Sequence, residues 1–414
     1  MNIAILHYSV PPIVGGVESV IAHHARLMNA DGHSVRLIAA RGESLPTGGR
    51  ASEEIPLFPI PLADSQHPRV LAVKEQLDRG DVTGDFDSLR DELVSHLQAA
   101  LSDMDILIAH NVCSLNKNLA LTAALHKLHT AASRKLPRLI LWHHDLAWTT
   151  PRYIPELHEG YPWDLLKTAW SNTAQVTVSE MRRDEIADLM KIDKSQIDVV
   201  PNGVDINKFF KLEEQTQSYI KKLGLVEANP LLLLPVRITP RKNIELALRV
   251  LAHLHKYFPK AQLVVTGPLG PHNSANAAYF DILKTLRQEL ELSASAHFLA
   301  ELTDAYIPDA VIFDFYRMAD ALFLPSQEEG FGIPILEAGL AGIPIFCSDI
   351  PPLRKLGGDH ATYFSLDDDP EKVSNLIVEN IKGNSVLALK VDVRYNYTWD
   401  GIYAAKIAPI IHAA

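Results

Sequence analysis

The stretch at residues 325–337 reads PSQEEGFGIPILE and directly follows the apolar run at residues 321–324. An apolar run, a glycine turn and a helical segment, in this order, predict a strand that leads through a turn into a helix. The free N–H groups and positive end of such a helix can bind a phosphate or sugar hydroxyl groups. Glu329 lies in the turn and Glu337 eight positions later, so helical rise would separate them by roughly 12 Å. One acid there would simply complement the helix dipole, but two acids and the glycines favour carboxylates that bind hydroxyl groups on either side of a diphosphate.

The rest of the chain repeats this order of strand and helix. Short runs rich in Ile, Leu and Val alternate with longer amphipathic segments, which is typical of parallel sheets covered by helices, so the predicted fold class is α/β. The predicted strands are residues 3–7, 35–39, 105–109, 139–143, 176–178, 197–200, 231–235, 262–266, 296–299, 321–324 and 343–347. The predicted helices are residues 17–31, 87–101, 115–129, 180–190, 244–255, 279–290 and 372–382. The turn-rich segments 64–84 and 149–160 are predicted to be long loops.

The length of 414 residues suits two domains of roughly 200 residues each. We predict that residues 1–205 and residues 206–396 each form a Rossmann-like, doubly wound domain. The segment 397–414 has a helical pattern and is expected to pack back on the first domain. Because open parallel sheets bind ligands at the carboxyl ends of their strands, we expect a cleft between the domains.

Composition excludes several classes of protein. The chain is 47% hydrophobic and 21% charged, with a net charge of -11, which argues against a nucleic-acid partner and against docking on anionic lipid. The apolar stretch 331–347 contains a glutamate, glycines and prolines, so no stable membrane insertion is expected. Two distant cysteines suggest neither a disulfide framework nor a thiolate metal site, and the first residues do not form a signal peptide. These features favour a cytoplasmic location.

Two further segments combine a predicted strand, a turn and a helix. Arg237 and Lys242 lie between an apolar strand and the helix that follows it, and such cations could stabilise a leaving diphosphate. Arg241 is a competing candidate for the contact with the diphosphate, but we interpret it as a surface charge. Gly15 and Gly16 lie between the first strand and the first helix, where a glycine pair alone indicates only a tight turn.

Histidines and aromatic residues follow the strand 139–143. His143 and His144 stand at its end, where a histidine is usually structural or solvated. The loop beyond contains Arg152 and Tyr153; aromatic rings stack on sugars, and Arg pairs with carboxylate or phosphate. An acceptor site and a loop held in place by its own aromatic rings are both open interpretations.

Together, these motifs resemble the retaining GT-B glycosyltransferases of the family 4 type, with their E-x7-E signature, over the whole chain. The resemblance implies an acceptor side in the first domain and a nucleotide-sugar site in the second. It implies that His144 touches the donor sugar's 6-hydroxyl group and that Arg237 and Lys242 neutralise the diphosphate. Val236 and Asn243 stand where the family has glycines. The resemblance implies donor binding by Gly15, Gly16, Arg237, Lys242, Glu329, Gly330, Phe331, Gly332, Ile333 and Glu337, and catalysis by His144, Arg237, Lys242 and Glu329.

The function that the resemblance implies is transfer of a hexosyl unit, with retention, from a nucleotide-diphosphate sugar to a hydroxyl group. Front-face substitution is implied, and no cofactor or metal is expected, because the run 367–369 of three aspartates is interpreted as a surface feature. UDP-, GDP- and ADP-hexose all stay open as donors. The lack of a basic amphipathic helix favours a small soluble acceptor, and Arg152, Arg182 and Arg183 favour an acidic one.

Other functions stay open at this point. A GT-B sugar-nucleotide epimerase would use the same donor, and a phosphorylase would need a cofactor-bearing lysine that the sequence does not identify. A catalytically silent sugar-binding subunit is the alternative outside enzymes. Whether the chain forms a homodimer is also open.

Overall fold

The computed structural model describes residues 1–47, 53–131, 137–269 and 274–413. The chain divides into two compact units. Unit 1 comprises Met1–Gly203 and Trp399–Ala414, and unit 2 comprises Val204–Thr398. Both units consist of parallel strands and helices, which confirms the predicted α/β class.

Unit 1 is built on a seven-stranded sheet in the described part of the chain. The strands of unit 1 are β1 (Asn2–Leu6), β2 (Ser34–Ala39), β3 (Leu45–Pro46), β4 (Glu54–Ile55), β5 (Leu57–Pro59), β6 (Ile106–His110), β7 (Arg138–His143), β8 (Thr173–Thr177) and β9 (Ile197–Val199). The sheet has the order β5-β2-β1-β6-β7-β8-β9, and β3 pairs with β4 separately. Its helices are α1 (Gly16–Ala30), α2 (Pro68–Asp78), α3 (Gly84–Ala100), α4 (Leu119–Thr130) and α5 (Glu180–Met190). The central strands are buried on both faces, which explains their continuous apolar sequence.

The prediction of one long loop at residues 64–84 was wrong, because α2 lies within it. Pro68 occupies the first helical turn, and the ring of His67 accepts a hydrogen bond from the Arg69 N–H at 3.2 Å. The buried face of α2 consists of Val70, Val73 and Leu77. The exposed Leu71 lies between the buried Val70 and Val73, so the continuous apolar run 70–73 conceals the helical spacing of the buried face.

Unit 2 is built on a six-stranded parallel sheet in the described part of the chain. Its strands are β10 (Leu231–Leu234), β11 (Gln262–Val265), β12 (Ala296–Phe298), β13 (Ala321–Leu324), β14 (Ile345–Ser348) and β15 (Thr362–Phe364), in the order β12-β11-β10-β13-β14-β15. Its helices are α6 (Ile206–Phe210), α7 (Glu214–Leu223), α8 (Ile244–Leu254), α9 (Ser274–Glu289), α10 (Asp309–Met318), α11 (Ile333–Ala341), α12 (Pro351–Gly357), α13 (Pro370–Lys382) and α14 (Ser385–Asn396). Because β10 and β13 are neighbours in the sheet, the loops that follow them lie side by side.

The end of the chain belongs to unit 1. Helices α15 (Trp399–Ile402) and α16 (Ala408–His412) are joined by a π-helical turn, and Ile402, Ile407 and Ile411 enter the core beneath the unit 1 sheet. The Arg138 guanidinium donates hydrogen bonds to the carbonyl oxygens of Ile410 and Ile411, each at 2.7 Å. These contacts satisfy carbonyl groups that the end of a helix leaves free. No helix in the described ranges is both long and apolar enough to cross a membrane.

Candidate functional site

The loops after β10 and β13 are fastened to each other by their backbones in unit 2. The Gln327 N–H donates to the Arg241 carbonyl oxygen at 2.8 Å, and the Arg241 guanidinium donates to the Glu328 carbonyl oxygen at 3.3 Å. Arg241 therefore joins the loops, a role beyond the surface charge predicted for it.

Lys242 and Glu329 form an ion pair between these two loops. Lys242 Nζ lies 2.5 Å from Glu329 Oε1, and each side chain is only 9% exposed. The Ser326 hydroxyl group donates to the same Oε1 at 2.7 Å, and Ser348 donates to the Ser326 carbonyl oxygen. Among the described residues Glu329 Oε2 has no hydrogen-bond partner. The carboxylate is thus fixed through one oxygen while the other stays free to accept a hydrogen bond.

Glu337 is held in the same way, one helical turn into α11. The hydroxyl group of Tyr316, on α10, donates to Glu337 Oε2 at 2.6 Å. Burial and the Glu337 carboxylate raise the pKa of Tyr316, so this phenol stays protonated and remains a donor. Glu337 Oε1 carries no hydrogen bond within the described ranges. Since α11 begins only at Ile333, the 12 Å helical rise assumed between Glu329 and Glu337 does not apply to the loop portion.

The turn before α11 has the geometry of an open helix N-terminus. Gly332 has a φ of 103° and caps the helix without a side-chain hydrogen bond. A Cβ at Gly332 would lie 2.7 Å from Leu353, so the position needs glycine for its space as well as for its backbone angle. Gly330 is exposed, and Phe331 and Ile333 are each 57% exposed. The first N–H groups of α11 therefore have no side-chain cap.

Arg237 lies in the loop that follows β10 and is exposed. This loop passes so close to Gly267 that a Cβ there would lie 1.9 Å from the Val236 carbonyl oxygen. Within the described part of the chain the Arg237 guanidinium has neither a hydrogen bond nor an ion pair. The nearby Thr239 hydroxyl group is buried and lacks a hydrogen-bond partner there too. The loop thus presents a free cation and an unsatisfied hydroxyl group.

In unit 1, the two adjacent histidines have different surroundings. His143 is buried, and its Nε2 lies 2.7 Å from Gln175 Oε1 on the neighbouring strand. His144 is partly buried; its backbone N–H donates to Asn111 Oδ1 at 2.7 Å, and its Nε2 lies 3.0 Å from His110 Nδ1. Burial lowers the pKa of His143 to about 4 and that of His144 to about 3. Both imidazoles are therefore neutral near pH 7, and only His144 lies beyond the end of its strand.

A cluster of buried histidines supports His144. His7 Nδ1 lies 2.7 Å from the His110 carbonyl oxygen, and the rings of His24 and His110 lie against Trp142. Burial lowers the pKa of His7 to about 4 and that of His24 to about 3. Sequence reasoning missed this cluster, although its signal was present. His7, His110 and His143 each stand at the carboxyl end of β1, β6 or β7, and these three strands are adjacent.

The glycine pair of unit 1 lies at the N-terminus of α1. Gly15 caps the helix, and a Cβ there would lie 2.0 Å from Glu18 Oε2. Ser9 donates a hydrogen bond to Glu18 Oε1 at 2.7 Å. Gly16 is exposed and has no atom within 4 Å of where its Cβ would be. The Glu18 carboxylate therefore folds back over the start of the helix and lies against Gly15.

The cations that could bind an acidic acceptor differ in whether a carboxylate of the protein already pairs with them. Arg152 stacks on Tyr153 with its Cζ 4.7 Å from the ring centroid and has no carboxylate partner in the described ranges. Lys117, 6.0 Å from the Tyr8 ring, also lacks one there. By contrast, Arg182 pairs with Glu185 at 2.6 Å, and Arg183 pairs with Glu180.

The three consecutive aspartates at residues 367–369 serve a helix start. Asp369 accepts a hydrogen bond from the Glu371 N–H at 2.8 Å at the N-terminus of α13, and Asp368 pairs with Lys372 at 2.6 Å. Among the described residues, the one group of three side chains close enough to hold a metal ion is Asp31, His33 and His412.

Two family models match the chain in succession. The model described as Glycosyltransferase Family 4 matches residues 14–208, and the model described as Glycosyl transferases group 1 matches residues 215–390. Each model thus matches most of one unit.

Three curated relatives show how far the similarity extends. The chain is 26% identical to mannosylglucosylglycerate synthase of Petrotoga mobilis over 62% of each chain. It is 25% identical to mannosylglucosylglycerate synthase of Thermotoga maritima over 85% of this chain and 83% of the relative. It is 30% identical to D-inositol 3-phosphate glycosyltransferase of Nocardia farcinica over 45% of this chain and 39% of the relative. The chain thus spans less than two thirds of the length of the Petrotoga and Nocardia relatives.

Proposed function

Because this chain belongs to the GT-B glycosyltransferases of the group 1 and family 4 type, we propose that it transfers a hexosyl unit, with retention, from a nucleotide-diphosphate sugar to a small acidic acceptor. The observation that carries this proposal is the arrangement of Glu329 and Glu337 in unit 2. Each carboxylate is fixed through one oxygen and keeps the other free. A carboxylate that is held through one oxygen can accept a hydrogen bond from a hydroxyl group of a ligand through the other.

The diphosphate of the donor binds to Arg237 and Lys242. The Arg237 guanidinium is unpaired in the described part of the chain and can form two parallel hydrogen bonds to phosphate oxygens. Lys242 is held by Glu329 at 2.5 Å, so its ammonium group is positioned before the donor arrives. Charge that develops on the leaving diphosphate is then stabilised by fixed cations, which is the role that a metal ion fills in other phosphate sites. The proposal accordingly requires no metal and no cofactor.

In unit 2, Glu329 accepts a hydrogen bond from a sugar hydroxyl group through Oε2. The family resemblance further assigns the contact with the 6-hydroxyl group to the neutral His144 imidazole. As the bond from the anomeric carbon to the diphosphate breaks, the acceptor hydroxyl group attacks from the same side. The departing phosphate oxygen takes the proton of that hydroxyl group. Because attack and departure share one face, the configuration is retained.

An acidic acceptor is supported by two cations of unit 1, Lys117 and Arg152, which lack carboxylate partners within the described ranges. Two of the relatives have names that contain glycerate and inositol 3-phosphate, which are both anions. A cation that no carboxylate of the protein pairs with can bind such an anion. We assign the acceptor to this side of unit 1. A cytoplasmic location completes the proposal, because both cysteines are buried free thiols.

The test is a transfer assay with UDP-, GDP- and ADP-hexoses and with anionic acceptors that carry a carboxylate or a phosphate. We expect release of nucleoside diphosphate only when donor and acceptor are both present, and the anomer of the product should match that of the donor by NMR. Conversion of the donor without an acceptor would instead show an epimerase. The absence of nucleoside diphosphate release with every pair would favour a silent binding subunit.

The matched variants are Arg237→Gln and Arg241→Gln, two arginines of the same loop. Arg237→Gln should lower kcat/KM by about 10² to 10³, the effect of removing one preorganised charge-stabilising group. Arg241→Gln should have a much smaller effect, because it keeps the backbone hydrogen bond from Gln327 that joins the loops and removes only the 3.3 Å contact with the Glu328 carbonyl oxygen. Equal losses in both variants would contradict the assignment of Arg237 to the diphosphate.

A further inference from the structure

Three side chains with nitrogen and oxygen ligand atoms converge in unit 1, where the end of α16 meets the turn between α1 and β2. Asp31 caps the C-terminus of α1, His33 lies just before β2, and His412 is the last residue of α16. The ligand atoms of the three residues all lie within 4.8 Å of one another. His33 Nε2 and His412 Nε2 each lie 3.6 Å from Asp31 Oδ2.

We propose that Asp31, His33 and His412 bind a divalent transition-metal ion, Zn²⁺ in the first place, and that this ion fastens the end of the chain to unit 1. In a tetrahedral zinc site with metal–ligand distances of about 2.0–2.1 Å, neighbouring ligand atoms lie about 3.4 Å apart. The two His–Asp separations of 3.6 Å need to shrink by only a few tenths of an ångström, and the histidine nitrogens, which lie within 4.8 Å of each other, by at most about 1.4 Å. Two imidazoles with one carboxylate suit zinc or its first-row neighbours better than Mg²⁺ or Ca²⁺.

His33 supplies the independent observation that points to a ligand. Its side chain is only 6% exposed, and its Nε2 is buried without a hydrogen-bond partner among the described residues. A buried, unsatisfied ring nitrogen is costly unless a partner occupies the space in front of it. On the opposite side of the ring, Nδ1 lies 3.4 Å from the amino group of Met1. Nε2 is therefore the nitrogen directed at Asp31.

The surroundings of Asp31 also suit a ligand. The Tyr403 hydroxyl group donates to Asp31 Oδ2 at 2.8 Å, and hydrogen bonds of this kind orient carboxylates that bind metals. Asp31 and His412 are 42% and 54% exposed, so solvent can reach the site and a water molecule can fill the fourth position. The ion would link residues 31–33 to residue 412, which are close in space although far apart in sequence. We therefore assign it a structural role, independent of the proposed transferase activity.

Titration of the full, untagged chain with ZnCl₂ at pH 8, followed by calorimetry, tests the proposal. We expect one ion per chain and a higher melting temperature with zinc than with an equal concentration of MgCl₂. CoCl₂ in place of zinc should give the visible absorption bands of a tetrahedral cobalt site. No stoichiometric binding by the wild-type chain would overturn the proposal.

Variants identify the ligands. His412→Asn should weaken zinc affinity by about tenfold or more, since even residues that only support a metal ligand cost 10- to 100-fold when changed. His412 is exposed, so this variant is expected to fold normally, which circular dichroism checks. His360→Asn, at an exposed histidine of unit 2, is the matched control and should bind zinc like the wild type. Unchanged affinity in His412→Asn, or an equal loss in His360→Asn, would contradict the site.

Discussion

Glu329 and Lys242 act on the donor as one unit at the scale of single residues. Both side chains are only 9% exposed, and Lys242 Nζ lies 2.5 Å from Glu329 Oε1. Replacing one partner leaves the charge of the other nearly buried and unpaired, which changes its position as well as the charge of the site. The two residues therefore cannot be assigned separate contributions to catalysis.

A double-mutant cycle should show this coupling. We expect Lys242→Met and Glu329→Gln each to lower kcat/KM for the donor by about 10² to 10³. The double variant should lose much less than the product of the two single losses, because either change alone already disrupts the pair. Steady-state kinetics of the wild type, the two single variants and the double variant measures this coupling. Losses that multiply would mean that the two side chains act independently.

The adjacent histidines allow a second test at this scale. His144→Gln should lower kcat while the melting temperature changes little, because the Gln amide can still contact His110 Nδ1, which lies 3.0 Å from His144 Nε2. His143→Phe should instead destabilise the protein by about 1–3 kcal/mol, since it leaves the amide oxygen of Gln175 without its partner. Kinetics and thermal melting of both variants distinguish the two roles. The reverse pattern would assign the sugar contact to His143.

At the scale of elements, α10 positions the second carboxylate of the donor site. The Tyr316 hydroxyl group on α10 holds Glu337 on α11 at 2.6 Å. Tyr316→Phe removes this hydrogen bond to a charged group, whose net value is about 1.5–3 kcal/mol. We expect KM for the donor to rise roughly tenfold or more with kcat little changed, because Glu337 is assigned to binding.

Tyr306→Phe is the control for that variant. Tyr306 also donates to a carboxylate, that of Asp309 at 3.0 Å, but it is 74% exposed and Asp309 is not a site residue. Its loss should leave KM near the wild-type value. A fall in kcat rather than a rise in KM for Tyr316→Phe would place Glu337 in the chemical step.

The strands that were predicted and those that were missed differ in burial. Central strands such as β10 and β13 are continuous apolar runs because helices cover both faces of the sheet, and the sequence reveals them directly. The edge strands β5 and β15 have three residues each and are only partly buried, so their sequences carry no such pattern. Helices α10 and α14 were not predicted either, because charged residues interrupt their apolar residues.

Patterns of strand, turn and helix place Arg237, Lys242 and the two glutamates between particular strands and helices, but they do not predict the contacts among these residues. The pairing of Lys242 with Glu329 joins positions 87 residues apart, and it depends on β10 and β13 being neighbours in the sheet. Sheet order is a property of the whole unit that local patterns do not contain. The same applies to the histidine cluster, which requires β1, β6 and β7 to be adjacent.

At the scale of the whole molecule, the buried histidines make the stability of the protein depend on pH. His7, His24, His110, His143 and His144 all have a pKa below the ordinary value of 6.5, chiefly because burial disfavours the charged imidazole. Between pH 6.5 and about 4 the unfolded chain therefore binds more protons than the folded chain. Their contribution to stability is complete above pH 6.5 and is lost as the pH falls toward 4.

We expect the free energy of unfolding to fall between pH 7.5 and pH 5, by about 2 kcal/mol for a single histidine of this kind. Urea unfolding at a series of pH values measures this free energy. Carboxylates with a lowered pKa, such as Asp91 at about 2, lose their contribution only at lower pH, so they do not account for a change in this window. His24→Leu should flatten the pH dependence because it removes one buried imidazole, whereas His360→Gln, at an exposed position, should leave the slope unchanged. A stability that stays constant from pH 7.5 to pH 5 would show that the buried histidines take up protons without unfolding, and the neutral state assigned to His144 would then be wrong.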